Sequence, residues 1–273
     1  MKLSLSVRVA ESFSNKREVR ISLEELAEIA STAGYDALCL RASMLGVQDS
    51  AERVARVGET LRQHHLNVSM ITGDFAVPEN GEAGPGCLRN ITPYLDLAAS
   101  MGTDLIRVCM KTDEDIEWAA RASDEAAERS IRIAHQSHTQ SLFETVLESV
   151  ENVARVGRPN FGIIYEPANL ALSAQPYGPG TLEQYRHFLF NVYLQNHIPE
   201  EGGPQPIETW CRGRIDTRLY PLDSCKGIDF DSVFTGLKQI GYTGYVTLHH
   251  ALDGDLEPQE AASRSAQFLR NLM

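Results

Sequence analysis

Four short stretches in the second half of this 273-residue chain end in side chains that can do chemistry. They are His135-Gln136-Ser137-His138, Glu166-Pro167-Ala168-Asn169, the run holding Asn191, Tyr193 and Gln195, and His249-His250. Together they supply a carboxylate, several imidazoles and a set of amides. Imidazole and carboxylate ligate divalent ions and also move protons near neutral pH. Amides donate to and accept from hydroxyl groups. One polar residue closing an apolar run is most simply a hydrogen-bonding cap. Four consecutive runs that close this way point to a metal site or to a pocket for a polyhydroxylated ligand.

Such residues meet only if the chain brings the ends of those runs together. Apolar runs at about 3–9, 36–41, 67–72, 104–110, 131–138, 161–166, 190–195 and 245–250 read as eight strands. Helix-period segments lie between and after them, at about 22–33, 49–65, 91–100, 113–130, 142–156, a short one from 181, 229–240 and 258–272. Ser22 with Glu25, and Thr181 with Gln184, have capping-box spacing, and Asp229 is expected to cap the helix that follows it. Eight strand–helix units predict an α/β fold, one (β/α)8 TIM barrel spanning residues 1–273. Neither a glycine-rich dinucleotide turn after the first strand nor a GxxxxGK[ST] loop is present, so an open nucleotide-binding sheet is not expected. In a barrel, the long loops at 72–89 and 196–228 overhang the C-terminal mouth, where barrel active sites lie. Period-two alternation puts Gln136 and His138 on one face of their strand and His135 on the other.

Composition narrows the partners. Thirty-seven acidic residues against 25 basic ones give a formal net charge of -12, and no Lys/Arg run interrupts that balance. Nucleic acid is therefore not an expected partner. No segment reaches the ~18 consecutive apolar residues of a membrane span, and the first residues lack the apolar stretch of a signal peptide. Five cysteines, an odd number without CxxC spacing, fit reduced thiols and a cytoplasmic setting. Apolar edges on the outer helices could support a homo-oligomer, although no specific signature marks one.

Three segments carry a family resemblance: Ala33-Gly34-Tyr35-Asp36-Ala37-Leu38, Gly227-Ile228-Asp229-Phe230, and Gly241-Tyr242-Thr243-Gly244-Tyr245-Val246-Thr247-Leu248. They resemble the xylose-isomerase-like TIM barrels of sugar-phosphate isomerases and epimerases. That family also includes inosose dehydratases and, more distantly, endonuclease IV. The resemblance spans nearly the whole chain. It implies one divalent ion (Mn, Mg or Zn) held by Glu, Asp, His and Glu on strands five to eight. By position these ligands fall on Gln136, Glu166, Tyr193 and His249, so only Glu166 keeps its chemical type. The implied metal set is Glu166, His249 and Gln136, with Glu166 and His249 also the catalytic acid/base pair. His138, Asn169, Asn191, Gln195, Trp210 and Arg212 are the expected substrate contacts. Trp210 would offer a flat face to a sugar ring, and Arg212 a fork for a carboxylate, a phosphate or vicinal hydroxyls. Arg41 and Arg107, on strands two and four, could enter the mouth or form an ion pair inside the barrel. The expected ligand is a small-molecule carbohydrate. The expected reaction is isomerisation or epimerisation of a sugar, keto-sugar or polyol ketone by proton transfer beside a carbonyl, assisted by the metal. The alternatives are a dehydratase or other lyase on a keto-sugar or inosose-like substrate, and a metal-free carbohydrate-binding barrel without catalysis.

Overall fold

A computed structural model describes residues 1–12, 18–73, 84–250 and 256–273. The first half of the chain runs β1 (Lys2–Ser6), a 3-10 turn (Val7–Ala10), α1 (Leu23–Ala33), β2 (Ala37–Leu40), α2 (Ala51–Gln63), β3 (Asn67–Thr72), α3 (Gly86–Arg89), α4 (Thr92–Ser100), β4 (Leu105–Val108) and α5 (Glu114–Ala127). The second half continues with β5 (Arg132–Gln136), α6 (Val146–Val156), β6 (Phe161–Tyr165), α7 (Pro167–Leu172), α8 (Pro179–Tyr185) and β7 (Leu189–Leu194). Four three-residue strands follow, β8 (His197–Pro199), β9 (Ile207–Thr209), β10 (Gly213–Ile215) and β11 (Thr217–Leu219), then α9 (Phe230–Gln239), β12 (Tyr245–Leu248) and α10 (Pro258–Leu272).

Eight of these strands close a barrel in the order β1-β12-β7-β6-β5-β4-β3-β2, with every neighbouring pair parallel. The expected single (β/α)8 TIM barrel is therefore the observed fold. Alternation along each strand sorts the side chains. Leu3, Leu5, Leu38, Leu40, Ile106, Val108, Ile133, Ile163, Val192, Leu194, Val246 and Leu248 join the apolar layer between sheet and helices. A smaller inner cluster holds Cys39, Met70, Leu105, Ala134, Ile164 and Tyr193. Two residues further along each strand, the same inward positions reach the C-terminal mouth.

Helix starts follow local chemistry. Ser22 Oγ accepts from the Glu25 amide at 3.1 Å and Asp229 Oδ1 from the Ser232 amide at 2.9 Å, as expected of both caps. Thr181 behaves otherwise. Pro179 opens α8 after Gly178, and the Thr181 hydroxyl donates to the Pro176 carbonyl at 2.8 Å from within the helix. Helix α6 starts at Val146 and not near 142, because the Ser141 hydroxyl accepts from the Phe143 amide and Thr145 Oγ1 caps the Glu148 amide. Of the loop at 72–89, residues 74–83 lie outside the described residues, and its last part forms α3.

The excursion at 196–228 is folded into two antiparallel ribbons, β8 with β11 and β9 with β10. Its two ends are tied by Asn196, which is fully buried. The Asn196 side chain donates to the carbonyls of Pro221 and Lys226 at 2.9 Å each and accepts from the Ile228 amide at 2.9 Å. Gly227 packs directly on this amide with φ +107°, and a Cβ there would lie 1.8 Å from Asn196 Oδ1. Gly227→Ala should therefore combine backbone strain with overpacking and cost on the order of 3 kcal/mol. A thermal melt should show Tm falling by roughly 5–10 °C; an unchanged Tm would mean that the Asn196 clamp does not constrain this turn.

Candidate active site

Glu166 follows β6 directly and has no solvent exposure. An ionised carboxylate in that position needs a donor for each oxygen. Three side-chain amides supply them. Gln136, at the end of β5, donates through Nε2 to Glu166 Oε2. Asn169 donates to the same oxygen at 2.8 Å and to the Ser137 carbonyl at 2.9 Å. Gln195, just beyond β7, donates to Oε1. Asn169 reaches back because Pro167 starts α7 immediately after Glu166, which puts residue 169 one turn above residue 166.

The next strand around the ring brings His249. Its amide donates to the Leu194 carbonyl at 2.9 Å, its ring stacks on Tyr193 at a centroid distance of 4.0 Å and 5°, and its Nδ1 lies 3.0 Å from Ser6 Oγ. Ser6 ends β1. Gln136, Glu166, Gln195, His249 and Ser6 thus form one continuous arc over five neighbouring strands. Below it, Tyr193 Oη and Cys39 Sγ are 3.1 Å apart. Burial pushes the Tyr193 phenol well above its usual range, so it remains protonated.

The remaining expected contacts lie elsewhere. Asn191 sits two residues deeper than Tyr193, fully buried, accepting from Thr247 Oγ1 at 2.9 Å on the barrel floor. His138 lies past the end of β5, half-buried, with Nδ1 2.7 Å from the Thr139 carbonyl. Trp210 is 52% exposed, with Lys111 Nζ 6.0 Å from its ring centre. Arg212 donates to the Leu172 carbonyl at 3.0 Å, on the last residue of α7. Cys211 is exposed, and partial burial beside Glu144 raises its thiol, which disfavours the thiolate.

Residues that carry the roof were not marked by sequence. Glu144 is buried and accepts from the amides of Trp210 and Cys211 at 2.9 Å each and from that of Gln140. It precedes α6 and falls inside the range expected to be helical, which hid its role. On the other half of the ring, Arg41 Nε donates to Glu11 Oε1 at 2.8 Å, the interior ion pair anticipated as one of its two outcomes.

Among the described residues, the donor set does not fit a divalent ion. Such an ion needs several anionic or neutral donors turned toward one point. Both oxygens of Glu166 already face amide N–H groups, and a carboxylate can meet only the NH2 side of Gln136. Tyr193 stays protonated beneath the His249 ring. Among the described residues, no group of three or more His, Cys, Asp or Glu side chains could hold a metal ion.

The family described as Xylose isomerase-like TIM barrel matches residues 27–272. No curated protein matches the sequence. Among solved structures, the probable 3-DHS dehydratase AsbF of Bacillus anthracis superposes with a TM-score of 0.75 at 16% identity, over 99% of each chain. D-allulose 3-epimerase from Methylomonas sp. in complex with D-allulose gives 0.69 at 16%, over 100% of this chain and 97% of that one. A xylose isomerase-like TIM barrel protein from Mycobacterium smegmatis in complex with magnesium gives 0.70 at 14%, over 99% and 96%. At such identities the likeness shows the fold. No helix among the described residues is long and apolar enough to cross a membrane.

Behind the arc, on the helix-facing side of β5, His135 is fully buried against Phe143 at 4.2 Å, and its Nδ1 lies 2.6 Å from the Gln136 carbonyl. Burial, aided by the Arg107 charge, holds its pKa well below 6.5. The unfolded chain therefore takes up this proton first, and stability is lost as pH falls below the unfolded value near 6.5. Denaturant titrations at pH 7.5 and 5.5 should show the loss, with a slope of at most about 1.4 kcal/mol per pH unit from one proton. His135→Gln should flatten that slope; an equal slope in the variant would assign it to other groups.

Proposed function

The chain belongs to the xylose isomerase-like TIM barrel family, and from that premise we propose that it is an enzyme moving a proton at the carbon beside a carbonyl. The substrate class is a sugar, a keto-sugar or a polyol-derived ketone. The observation that carries the reading is the convergence of a buried carboxylate, three amides and an imidazole along one arc of the mouth.

Glu166 acts as the base. It takes the proton from the carbon, the C–H electron pair forms the double bond of an enediol, and the carbonyl oxygen gains the charge or a proton. His249, two strands around the ring, is the second acid/base group, and imidazole titrates in the right range for it. Returning a proton to the same carbon from the other side inverts it, giving epimerisation. Returning it to the former carbonyl carbon gives isomerisation. Each amide that donates to Glu166 also carries a carbonyl oxygen, the acceptor that a substrate hydroxyl needs. Asn191, on the barrel floor, and His138, past the end of β5, stand outside this arc, and Trp210 stands at the rim. A cytoplasmic setting agrees with five cysteines that form no disulfide.

A dehydratase begins with the same abstraction and then expels hydroxide; the relative described as a dehydratase is what favours this second reading. Product mass separates the two, since isomers conserve mass and a dehydratase loses water. In deuterium oxide, the wild type should place deuterium on the carbon beside the carbonyl of its substrate. Glu166→Gln should lower that rate by roughly 10²–10⁴-fold, and His249→Gln should lower it too. Near-wild-type exchange in Glu166→Gln would remove the base from this reading.

A further inference from the structure

The opposite end of the barrel is built from another set of inward positions. Leu3, Ile106, Ile133 and Val246 belong to the layer between sheet and helices, and Leu105 and Ala134 to the inner cluster. Alternation therefore turns Lys2, Thr103, Arg132 and Tyr245 toward the barrel axis at its N-terminal end. Phe190 joins them through an irregularity. Ile163 pairs with Leu189 and Ile164 with Asn191, so β7 carries one extra residue, and this bulge packs Phe190 against the inner cluster. Gly162 makes room for it, since a Cβ there would lie 2.7 Å from the Phe190 ring.

These side chains line an open cup of about 500 Å³, a volume within the range of small-molecule sites. The loops that lead into its strands, at 34–36, 64–66, 101–104, 128–131, 157–160, 186–188 and 240–244, all lie within the described residues. Above the cup the barrel is closed. The Ser4 and Ser69 hydroxyls are 2.7 Å apart there, and Thr247 Oγ1 donates to Asn191 at 2.9 Å. The cup is thus separate from the mouth that holds Glu166.

The N-terminal face of such a barrel ordinarily serves stability. Here it leaves space, and a polar group in that space. Thr103 is only 6% exposed, and its hydroxyl meets no hydrogen-bond partner among the described residues. A buried hydroxyl is costly unless a bound molecule or water meets it. Arg132 and Arg186 also line the cup, each with its own carboxylate. Asp104 accepts from Arg132 at 3.0 and 3.1 Å, and Glu183 from Arg186 at 2.6 Å. Asp36, nearby, accepts from the Leu3 amide at 2.8 Å. Lys2 is the remaining cation. Its ammonium lies 5.7 Å from the Tyr245 ring centre and, among the described residues, pairs with no carboxylate. Burial, with the charges of Asp36 and Asp104, raises the Tyr245 phenol, so it keeps its proton.

Lys2 on β1 and Thr103 on β4 face each other across the ring, with Tyr245 and Phe190 on the strands between. A molecule that meets both ends carries one negative charge at one side, a hydroxyl at the other and an apolar body between. A single ammonium suits a carboxylate better than a phosphate dianion, which would need further free donors. We propose that the N-terminal cup is a second ligand site, for a small hydroxylated cyclic carboxylate. Its carboxylate lies at Lys2, its ring against Tyr245 and Phe190, and its hydroxyl at Thr103. The site uses no residue of the Glu166–His249 arc, so it stands independently of the proton-transfer reading.

An NMR titration of the full chain with 3- and 4-hydroxybenzoate, benzoate, 4-hydroxybenzamide and acetate tests it. At least one hydroxybenzoate should shift the amides of Gly102, Thr103, Gly241 and Thr243 and leave those of Asn169 and Gln195 unmoved. It should bind about fivefold tighter than benzoate, which lacks the hydroxyl. It should bind about threefold tighter than the amide, which lacks the charge. Acetate, without a ring, should shift nothing. Lys2 is exposed, so Lys2→Gln should fold normally and bring the carboxylate down to the affinity of the amide. Thr103→Val removes a hydroxyl that has no partner in the free protein. It should leave Tm unchanged or raised, and bind hydroxybenzoate no tighter than benzoate. Glu166→Gln should bind every probe as the wild type does. No shift at the cup with either hydroxybenzoate, equal affinity for carboxylate and amide, an unaltered preference in Lys2→Gln, or shifts confined to the mouth would each overturn the proposal. A lowered Tm in Thr103→Val would give that hydroxyl a partner within the fold and overturn its place in the site.

Discussion

A carboxylate with no access to water sets the terms for the whole mouth. Desolvating Glu166 costs several kcal/mol unless its oxygens find donors, and those donors come from three separate elements. Gln136 arrives at the end of β5, Asn169 from the first turn of α7, and Gln195 just beyond β7. Closure of the barrel makes this possible, because β5, β6 and β7 are neighbours and their inward positions converge. The abrupt helix start at Pro167 does the rest. Each amide is therefore tied to the others through a shared acceptor, and loss of one changes the setting of all.

The roof is held by a different logic. Its carboxylate, Glu144, makes no ion pair in the contacts that fix the loop; it gathers backbone amides from residues 140, 210 and 211. Arg212 closes the arrangement from the other side by donating to the C-terminal carbonyl of α7, the favourable end of a helix for a cation. With its backbone fixed this way, the loop presents Trp210 outward, beside Lys111, instead of packing it. The same α7 that carries Asn169 is thus the anchor of the roof. The floor of the site and its cover are mechanically joined through six residues of helix.

Much of this fold was legible from period and capping. The eight apolar runs coincide with the eight barrel strands, and Ser22 and Asp229 cap the helices they were expected to cap. Strand ends were overestimated at β1 and β4, where apolar residues continue past the last strand residue, and at β5 and β12, where Ser137-His138 and His249-His250 extend beyond it. Helices α3 and α7 and the ribbons β8–β11 were too short to show a period. The grouping of Gln136, Glu166 and Gln195 was visible as polar strand ends. Asn169 joined them through a helix that sequence did not reveal, and Arg212 left them for a backbone carbonyl that no spacing rule predicts. Thr72 and Ser6 carry a signal only in hindsight, as the inward partners of apolar neighbours.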